Sequence, residues 1–281
     1  MKINLAKSAG FCFGVRKAIT TALKTAKSEK PVYVLGDIVH NEKVVEQIRD
    51  AGIKKINRLS CGLNKTLLIR AHGCSKRILD RALKLNYRII DATCPMVKEI
   101  HKIARQLENR GFQVIIIGDQ RHDEVQGIVG QLKSKAIVID QPQTIPLARI
   151  KRVEKAGIVV QSTQNLDNVL KILESLYKYI PKIVFHNTIC NPTRLKQNEV
   201  KRMPLENSVM IVIGSKTSAN TKRIYEISRS LNKNSYWVNS AGEIKKFWLK
   251  NAKSVGITAG ASTPESSIKE VIAKINFLIR N

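Results

Sequence analysis

The sequence predicts an α/β protein: a trefoil of three small domains with pseudo-threefold symmetry, each a parallel sheet covered by helices. Short, continuously apolar segments alternate with helical segments, which is typical of parallel strands that are buried on both faces. One pattern of strand, cysteine and helix occurs three times at constant spacing. The third copy ends without its last strand, and the N-terminal segment MKINLA supplies an apolar strand that can complete it.

Each copy begins with a cysteine, continues through a helix and reaches an apolar strand that ends in glycine. The predicted helices are CFGVRKAITTALKTA, CPMVKEIHKIARQL and CNPTRLKQNEVKRM, and the strands are VYVLG, VIIIG and MIVIG. The cysteine-to-glycine distance is 24 residues in all three copies: Cys12 to Gly36, Cys94 to Gly118 and Cys190 to Gly214. This equal spacing predicts equivalent positions in three domains.

The rest of each copy repeats as well. Four residues beyond each glycine, a polar side chain is predicted to open the next helix: His40, His122 or Ser218. Further strands end in small or polar residues in LLIRAHGCS, IVVQSTQN and VGITAGASTP, and the strands YRIIDATC and KIVFHNTIC lead to the next cysteine. We therefore predict domains at 13–94, 95–190 and 191–281, the last completed by residues 1–12.

Composition narrows the classes of function. The 281-residue chain has a formal net charge of +27, but Lys and Arg are spread over many helix faces, and few aromatic residues lie among them. A nucleic-acid-binding surface needs clustered charge, so we expect no nucleic-acid partner, although the surplus charge can speed encounters with anions. No apolar run approaches the ~20 residues of a membrane helix, and no signal-peptide pattern follows Met1. We expect a cytoplasmic protein without a membrane partner.

Three of the five cysteines share the repeat. Cys12, Cys94 and Cys190 precede helices, where the helix dipole favours a thiolate, whereas Cys61 and Cys74 lie outside the pattern and are expected to be bystanders. Three thiolates can bind zinc, with water or a histidine as fourth ligand, or an iron–sulfur cubane with one iron left open. The wide separation of the three cysteines along the chain favours the larger iron–sulfur centre.

Short polar side chains form a second group at the predicted strand ends, a setting that suits phosphate binding. These residues are His40, His72, His122, Ser218, Asn220 and Ser262. A carboxyl group beside bound anions would have a raised pKa and could donate a proton, and Glu124 and Glu42 occupy matching positions in two copies. Spacing alone leaves both as candidates. His101 and His186 lack a strand-end position and are expected to be structural.

Seven segments resemble a known family, the 4-hydroxy-3-methylbut-2-enyl diphosphate reductases of the methylerythritol phosphate pathway to isoprenoid precursors. They are GFCFGVRKAI, GDIVHN, RAHGCS, DATCPMV, GDQRHDEVQG, IGSKTSAN and TAGASTPE, and the resemblance extends from the first residues to about Glu265. It implies a trefoil around one [4Fe–4S] cluster with three cysteine ligands and one open iron. It also implies a two-electron reductive dehydroxylation that gives isopentenyl and dimethylallyl diphosphates, with electrons from a flavodoxin- or ferredoxin-type protein.

The resemblance also assigns roles to individual residues. It implies Cys12, Cys94 and Cys190 as cluster ligands, and His40, His72, Ser218, Asn220 and Ser262 as the diphosphate site with His122 beside it. The family's proton-relay glutamate falls on Glu124 rather than Glu42, and its active-site threonine falls on Ser162. Ala219 stands where many relatives have serine, and Phe13 replaces a common alanine. The segment after Cys190 departs from the family pattern, which leaves the start of that helix open.

Two other activities stay open at this point. A hydro-lyase could use the same open cluster to add or remove water without net reduction, and a zinc hydrolase could use the same three cysteines. Dependence of turnover on an external reductant separates the lyase from the reductase, and metal analysis separates zinc from iron.

Overall fold

The structure, a computed structural model, describes residues 1–280 and contains three four-stranded parallel sheets whose strands alternate with helices. The strands are β1 (Lys2–Leu5), β2 (Val32–Leu35), β3 (Ile53–Ile56), β4 (Thr66–Ile69), β5 (Arg88–Asp91), β6 (Gln113–Ile117), β7 (Ile137–Ile139), β8 (Lys155–Val160), β9 (Lys182–Phe185), β10 (Val209–Ile213), β11 (Ser235–Val238) and β12 (Ser254–Ala259). The predicted α/β class with three parallel sheets is confirmed.

Ten α-helices connect these strands within residues 1–280. They are α1 (Phe13–Ser28), α2 (Glu42–Asp50), α3 (Lys76–Lys84), α4 (Pro95–Asn109), α5 (Asp123–Val129), α6 (Leu147–Ile150), α7 (Leu166–Tyr177), α8 (Asn191–Glu206), α9 (Ala219–Leu231) and α10 (Glu265–Arg280). In this part of the chain, none of the helices combines the length and apolar character that a membrane span requires.

The three sheets share one strand order, as the repeat requires. The orders are β1-β12-β10-β11, β5-β4-β2-β3 and β9-β8-β6-β7. In each sheet the first strand of this order is the edge strand that leads to one of the three repeated cysteines. In the first of these sheets, β1 pairs in parallel with β12 from Lys2 beside Ser254 to Leu5 beside Ile257. The N-terminal strand is therefore the fourth strand of a sheet whose other strands come from the end of the chain.

The chain divides into two compact units. The first comprises Met1–Arg16, Val39–Gln47 and Asn191–Asn281, and the second comprises Lys17–Ile38 and Ile48–Cys190. The first unit contains the sheet with β1, and the second unit contains the other two sheets. The division into three domains at 13–94, 95–190 and 191–281 stays a prediction.

The central strands are mostly apolar, and β10 is apolar along its whole length, because both faces of these strands are buried. In β10, Ile211 packs in a core with residues of α10, whereas the neighbouring Val212 packs with residues of α8 and α9. In β6 of the second unit, Ile115 and Ile116 divide in the same way between two cores. Successive side chains of a strand point to opposite faces, so this arrangement favours apolar residues at consecutive positions. Burial on both faces fixes the strand ends from which the candidate site residues project.

Candidate active site

The three repeated cysteines occupy equivalent positions at the starts of long helices. Cys12 lies directly before α1, Cys94 before α4 and Cys190 before α8. The helix after Cys190 begins at once with Asn191, so the unusual sequence there does not delay the helix. The backbone N–H of Val15 lies 3.4 Å from the Cys12 sulfur, which places that sulfur where the first amides of α1 point.

The backbone of each cysteine is fixed by the same kind of hydrogen bond. In the first unit, the Cys12 N–H donates to the carbonyl of Ala261 at 3.1 Å, in the turn after β12. In the second unit, the amides of Cys94 and Cys190 donate to the carbonyls of Ala71 and Ser162, each at 3.0 Å. Ala71 follows β4 and Ser162 follows β8, so all three acceptors follow the strand next to the edge strand. The repeat thus extends to the hydrogen bonds that orient the cysteines.

The other two cysteines have different surroundings. Cys61 is exposed, whereas Cys74 packs in a core with Leu67 and Ile69. Burial raises the pKa of the Cys74 thiol to about 12, with a further increase from the nearby Asp91 carboxylate. A thiol that stays protonated at neutral pH is a poor metal ligand. This environment agrees with the expectation that Cys74 has no part in the site.

Two of the predicted histidines lie together in the second unit. The rings of His72 and His122 meet edge to face with their centres 5.5 Å apart. His122 is the N-cap of α5, and its Nδ1 accepts a hydrogen bond from the N–H of Glu124 at 3.1 Å. The proton of the neutral His122 ring therefore lies on Nε2, which can donate to an anion.

An ion pair that the sequence analysis missed fixes these histidines in place. Arg70, which follows β4, donates two hydrogen bonds of 2.7 and 2.8 Å to the carboxylate of Asp123, the first residue of α5. Gly36 has a φ of +78°, and a Cβ there would lie 2.7 Å from an Arg70 nitrogen. Glycine therefore provides the space for the guanidinium. The pair ties the segment before His72 to the segment that contains His122.

Glu124 and Ser162 form a buried pair in the second unit. The Glu124 side chain is 2% exposed. Its carboxylate accepts the backbone N–H of Ser162 at 2.6 Å and the Ser162 hydroxyl at 2.8 Å. The Ser162 hydroxyl therefore makes a direct side-chain hydrogen bond to Glu124. The pair joins the start of α5 to the end of β8.

Glu42, the alternative carboxyl group, has a different environment in the first unit. Its side chain is exposed at the start of α2. It accepts hydrogen bonds from the Ser215 hydroxyl at 2.7 Å and from the Asn239 amide at 3.4 Å. The repeat places both glutamates at helix starts, but only Glu124 is buried. Burial distinguishes two residues that spacing could not.

The first unit brings four of the predicted diphosphate residues to neighbouring loops. Ser218 is the N-cap of α9 and accepts from the N–H of Thr221 at 3.3 Å. The Asn220 carbonyl oxygen accepts from the N–H of Ala261 at 3.2 Å, next to Ser262. The hydroxyl of Ser262 donates to the backbone carbonyl of His40 at 2.9 Å. Ser218, Asn220 and Ser262 are buried, and the last two bonds join the turn after β12 to the start of α9 and to the loop before α2.

The prediction that His40 opens a helix is wrong by one residue. α2 begins at Glu42, and the side chain of Asn41 accepts from the N–H of Val44 at 3.2 Å. Asparagine is a stronger N-cap than histidine because its short side chain reaches the free amides of the first turn. His40 therefore lies just before the cap, whereas His122 and Ser218 are caps themselves.

The family described as LytB protein matches residues 3–276 of this chain. This chain belongs to the LytB protein family. The match spans almost the whole sequence, so the resemblance that the sequence motifs predicted is confirmed.

Several bacteria have similar proteins that share one enzyme name. The 4-hydroxy-3-methylbut-2-enyl diphosphate reductase of Geobacter metallireducens is 38% identical, and the match covers 98% of this chain and 97% of the relative. The reductase of Campylobacter hominis is 39% identical, and the match covers 98% of this chain and 99% of that reductase. That of Aquifex aeolicus is 38% identical, with 97% and 95% covered. This LytB protein therefore matches these relatives over nearly their full length.

Two solved structures are similar to this LytB protein in fold. One is the (E)-4-hydroxy-3-methyl-but-2-enyl diphosphate reductase described as the terminal enzyme of the non-mevalonate pathway. It is 37% identical, has a TM-score of 0.72, and the match covers 99% of this chain and 100% of the other. The other is the E-1-hydroxy-2-methyl-but-2-enyl-4-diphosphate reductase from Plasmodium falciparum. It is 27% identical with a TM-score of 0.87, and the match covers 98% of this chain and 87% of the other. The fold is thus that of LytB proteins along the whole chain.

The cysteines of this LytB protein have the chemistry that an iron–sulfur cluster needs. Cys12, Cys94 and Cys190 carry thiol groups, are half-buried, and precede helices of 15 or 16 residues. Thiolates at helix N-termini are stabilised by the helix dipole. Thiolate sulfur is also the usual protein ligand of iron–sulfur clusters. The donor set therefore fits the cluster that the resemblance implies.

Proposed function

We propose that this LytB protein is a 4-hydroxy-3-methylbut-2-enyl diphosphate reductase, which converts its substrate to isopentenyl and dimethylallyl diphosphates by two-electron reductive dehydroxylation. The observation that carries this proposal is the match of the whole chain to relatives of that name at 38–39% identity. The segments that resemble the family contain Cys12, Cys94, the strand-end histidines and Glu124, and the match to the relatives also spans Cys190.

Cys12, Cys94 and Cys190 are the proposed ligands of one [4Fe–4S] cluster. Their equivalent positions and equivalent backbone hydrogen bonds support this assignment. When bound, such a cluster supplies electrons and an open iron that acts as a Lewis acid toward a substrate oxygen. The protein backbone holds each ligand residue through a hydrogen bond to a buried strand end, which limits the movement of the thiolates.

The proposed diphosphate site consists of hydrogen-bond donors rather than Lys or Arg side chains. In the second unit, His122 presents Nε2–H because its Nδ1 is occupied, and His72 lies against its ring. In the first unit, the Asn220 side chain accepts through its oxygen, so its amide hydrogens are oriented to donate elsewhere. His40 and Ser218 are further proposed members of the set, and Ser262 would join them by turning its hydroxyl, which donates to the His40 carbonyl, toward the diphosphate. Donors at helix starts suit an anion because the helix dipole adds to the hydrogen bonds.

Glu124 and Ser162 are the proposed proton relay. Their hydrogen bond of 2.8 Å lets a proton pass between carboxyl and hydroxyl with little movement. Two donors hold the carboxylate in one orientation, and burial keeps bulk water from competing with it. In this role Glu124 delivers the proton that converts the leaving hydroxyl group to water, and Ser162 positions that hydroxyl.

The proposed reaction consumes two electrons from outside, so it requires an electron-donor protein of the flavodoxin or ferredoxin type. The test is anaerobic purification followed by measurement of iron, sulfide and turnover with and without reductant. We expect about four iron atoms and four sulfides per chain, and turnover only with a reductant. Turnover of the same substrate without reductant would identify a hydro-lyase. One zinc and no iron would exclude the cluster.

A further inference from the structure

Lys196 is the most unusual buried side chain outside the proposed site. It lies in the second turn of α8 and is 1% exposed. Its ammonium group donates to three backbone carbonyl oxygens of the first unit: those of Ser8, Gly10 at 3.0 Å and Ala259 at 3.1 Å. An ammonium has three N–H donors, so three carbonyls match its bonding capacity. A buried charge is costly without such partners, which indicates that this arrangement has a specific use.

A second charge on the same helix binds the same segment of backbone. Glu199 is three residues beyond Lys196 and therefore lies on the same face of α8. Its carboxylate accepts the backbone N–H groups of Lys7 at 3.0 Å and Ser8 at 2.9 Å, and it also accepts the Ser8 hydroxyl. Opposite charges of α8 thus bind the N–H groups and the carbonyls of residues 7–10. The two side chains fix the path of this segment more completely than apolar packing would.

The segment that Lys196 holds leads directly to Cys12. Gly10 precedes Cys12 by two residues, and Ala259 precedes Ala261 by two residues. The Cys12 N–H donates to the Ala261 carbonyl at 3.1 Å, so the lysine holds both partners of that hydrogen bond through carbonyls two residues upstream. Gly10 has a φ of +91°, a backbone conformation that glycine adopts readily and other residues rarely do.

We propose that Lys196 is a positioning residue for Cys12: its ammonium fixes the backbone on both sides of the Cys12–Ala261 hydrogen bond and so keeps the thiolate in place to bind the cluster. This inference rests on the proposed cluster and adds a role for a residue outside it. The same α8 follows Cys190, so one helix starts at one proposed ligand and positions another.

The experiment compares Lys196→Met and Lys196→Gln with the parent protein as anaerobic holoproteins. The control is Ser228→Ala, which removes a buried hydrogen bond of 2.8 Å to Ser235 in the same unit but does not touch residues 7–10. Two quantities are measured: hydrogen exchange of peptides that contain residues 6–12 and 259–262, and the rate of iron loss to a chelator. Neither readout requires turnover.

We expect Lys196→Met to speed both hydrogen exchange at residues 6–12 and iron loss by about tenfold or more, because three buried carbonyls lose their donor. Lys196→Gln keeps an amide group that donates two hydrogen bonds, so its hydrogen exchange and its iron loss should lie between those of the parent and the Met variant. If the Met variant does not fold, the Gln variant tests the proposal. Ser228→Ala should resemble the parent at both readouts.

Two results would overturn the proposal. If exchange at residues 6–12 accelerates but iron loss stays at the parent rate, Lys196 only stabilises the loop. If both readouts change equally in Ser228→Ala, the effect reflects general stability. A parent protein without iron would instead refute the proposed function and the ligand role of Cys12 with it. The exchange data would still show whether Lys196 holds the loop.

Discussion

Glu124 and Glu42 show how one repeat position can acquire two chemical environments. Both follow a strand-end loop at the start of a helix, but Glu124 is 2% exposed and binds Ser162 twice, whereas Glu42 is exposed and binds Ser215 and Asn239. A buried carboxyl group that is hydrogen-bonded to a hydroxyl group is suited to proton transfer. Glu42 instead links the start of α2 to the loops that contain Ser215 and Asn239.

This difference predicts unequal effects of the same substitution. Glu124→Gln keeps the size of the side chain but cannot release a proton, so turnover should fall by about 10²–10⁴-fold. Iron content and substrate binding should stay at the parent level. Glu42→Gln is the matched control and should retain nearly full turnover. Equal losses in both variants would contradict the assignment of Glu124, and so would a fully active Glu124→Gln.

The five cysteines provide a second residue-scale prediction. Cys12→Ser, Cys94→Ser and Cys190→Ser should each lose most iron and turnover, because serine is a poor replacement for a thiolate ligand. Cys61→Ser and Cys74→Ser should keep most of both, since one thiol is exposed outside the repeat and the other lies in a core. Iron per chain and turnover are measured for all five. A cluster loss in Cys74→Ser as large as that in Cys94→Ser would refute the ligand set.

At the scale of elements, the Arg70–Asp123 pair joins the end of β4 to the start of α5. The side chains are 19% and 33% exposed, and the two hydrogen bonds are nearly equal in length. Water screens such a pair only in part, and the negative charge of Asp123 also interacts favourably with the N-terminus of α5. The pair should therefore contribute more to the free energy of unfolding than an ordinary surface ion pair does.

Asp123→Asn tests this contribution while keeping the shape of the side chain. The free energy of unfolding should fall by about 1–2 kcal/mol, because a charge-assisted bidentate bond becomes a weaker neutral one. Asp50→Asn is the control, since Asp50 pairs with Arg49 at 3.3 Å where both side chains are about two-thirds exposed. That change should cost less than about 0.5 kcal/mol. The free energies are measured by urea unfolding of the parent and both variants. Equal losses in Asp123→Asn and Asp50→Asn would contradict the prediction.

The elements also show what the sequence could and could not predict. The three sheets and the positions of the cysteines follow from local patterns: apolar runs, helix periods and a constant spacing of 24 residues. The Arg70–Asp123 pair joins residues 53 apart, and the Lys196 bonds join residues up to 188 apart. No local pattern indicates such partners, because Lys and Arg occur on most of the helices and the sequence does not show which of them is buried. The helix start beyond His40 was misplaced because a better cap, Asn41, stands next to it.

At the scale of the whole molecule, the net charge determines the electrostatic field around the protein. A formal charge of +27 on 281 residues produces a positive field that should attract the proposed electron-donor protein, if that protein is acidic, and speed their encounter. At about 0.5 M salt the field is screened within ~4–5 Å, against about 10 Å at 0.1 M. Turnover with an acidic donor protein should therefore fall several-fold between these salt concentrations. Turnover with a small uncharged reductant should change little, and equal salt effects for both would contradict the prediction.

The stability of the whole chain should depend on pH through His101. This histidine on α4 is 7% exposed, and Gly73 and Gly127 border its ring. The pKa of His101 is lowered to about 4, chiefly by burial and also by the nearby Arg105, whereas Asp91 opposes the shift. In the unfolded chain a histidine titrates near pH 6.5. Between pH 6.5 and 4 the unfolded state therefore binds a proton that the folded state does not, so stability falls as the pH falls.

The size of this effect follows from the two pKa values. Lowering the pH from 7.5 to 5.5 should cost about 1.4 kcal/mol through His101 alone. His101→Gln cannot take up that proton, so the variant should lose about 1.4 kcal/mol less than the parent over the same range, whatever its stability at pH 7.5. The measurement is urea unfolding of both anaerobic proteins at the two pH values, in which all other groups titrate alike. Parallel losses in parent and variant would mean that His101 takes up its proton in the folded protein, which its position in the core opposes.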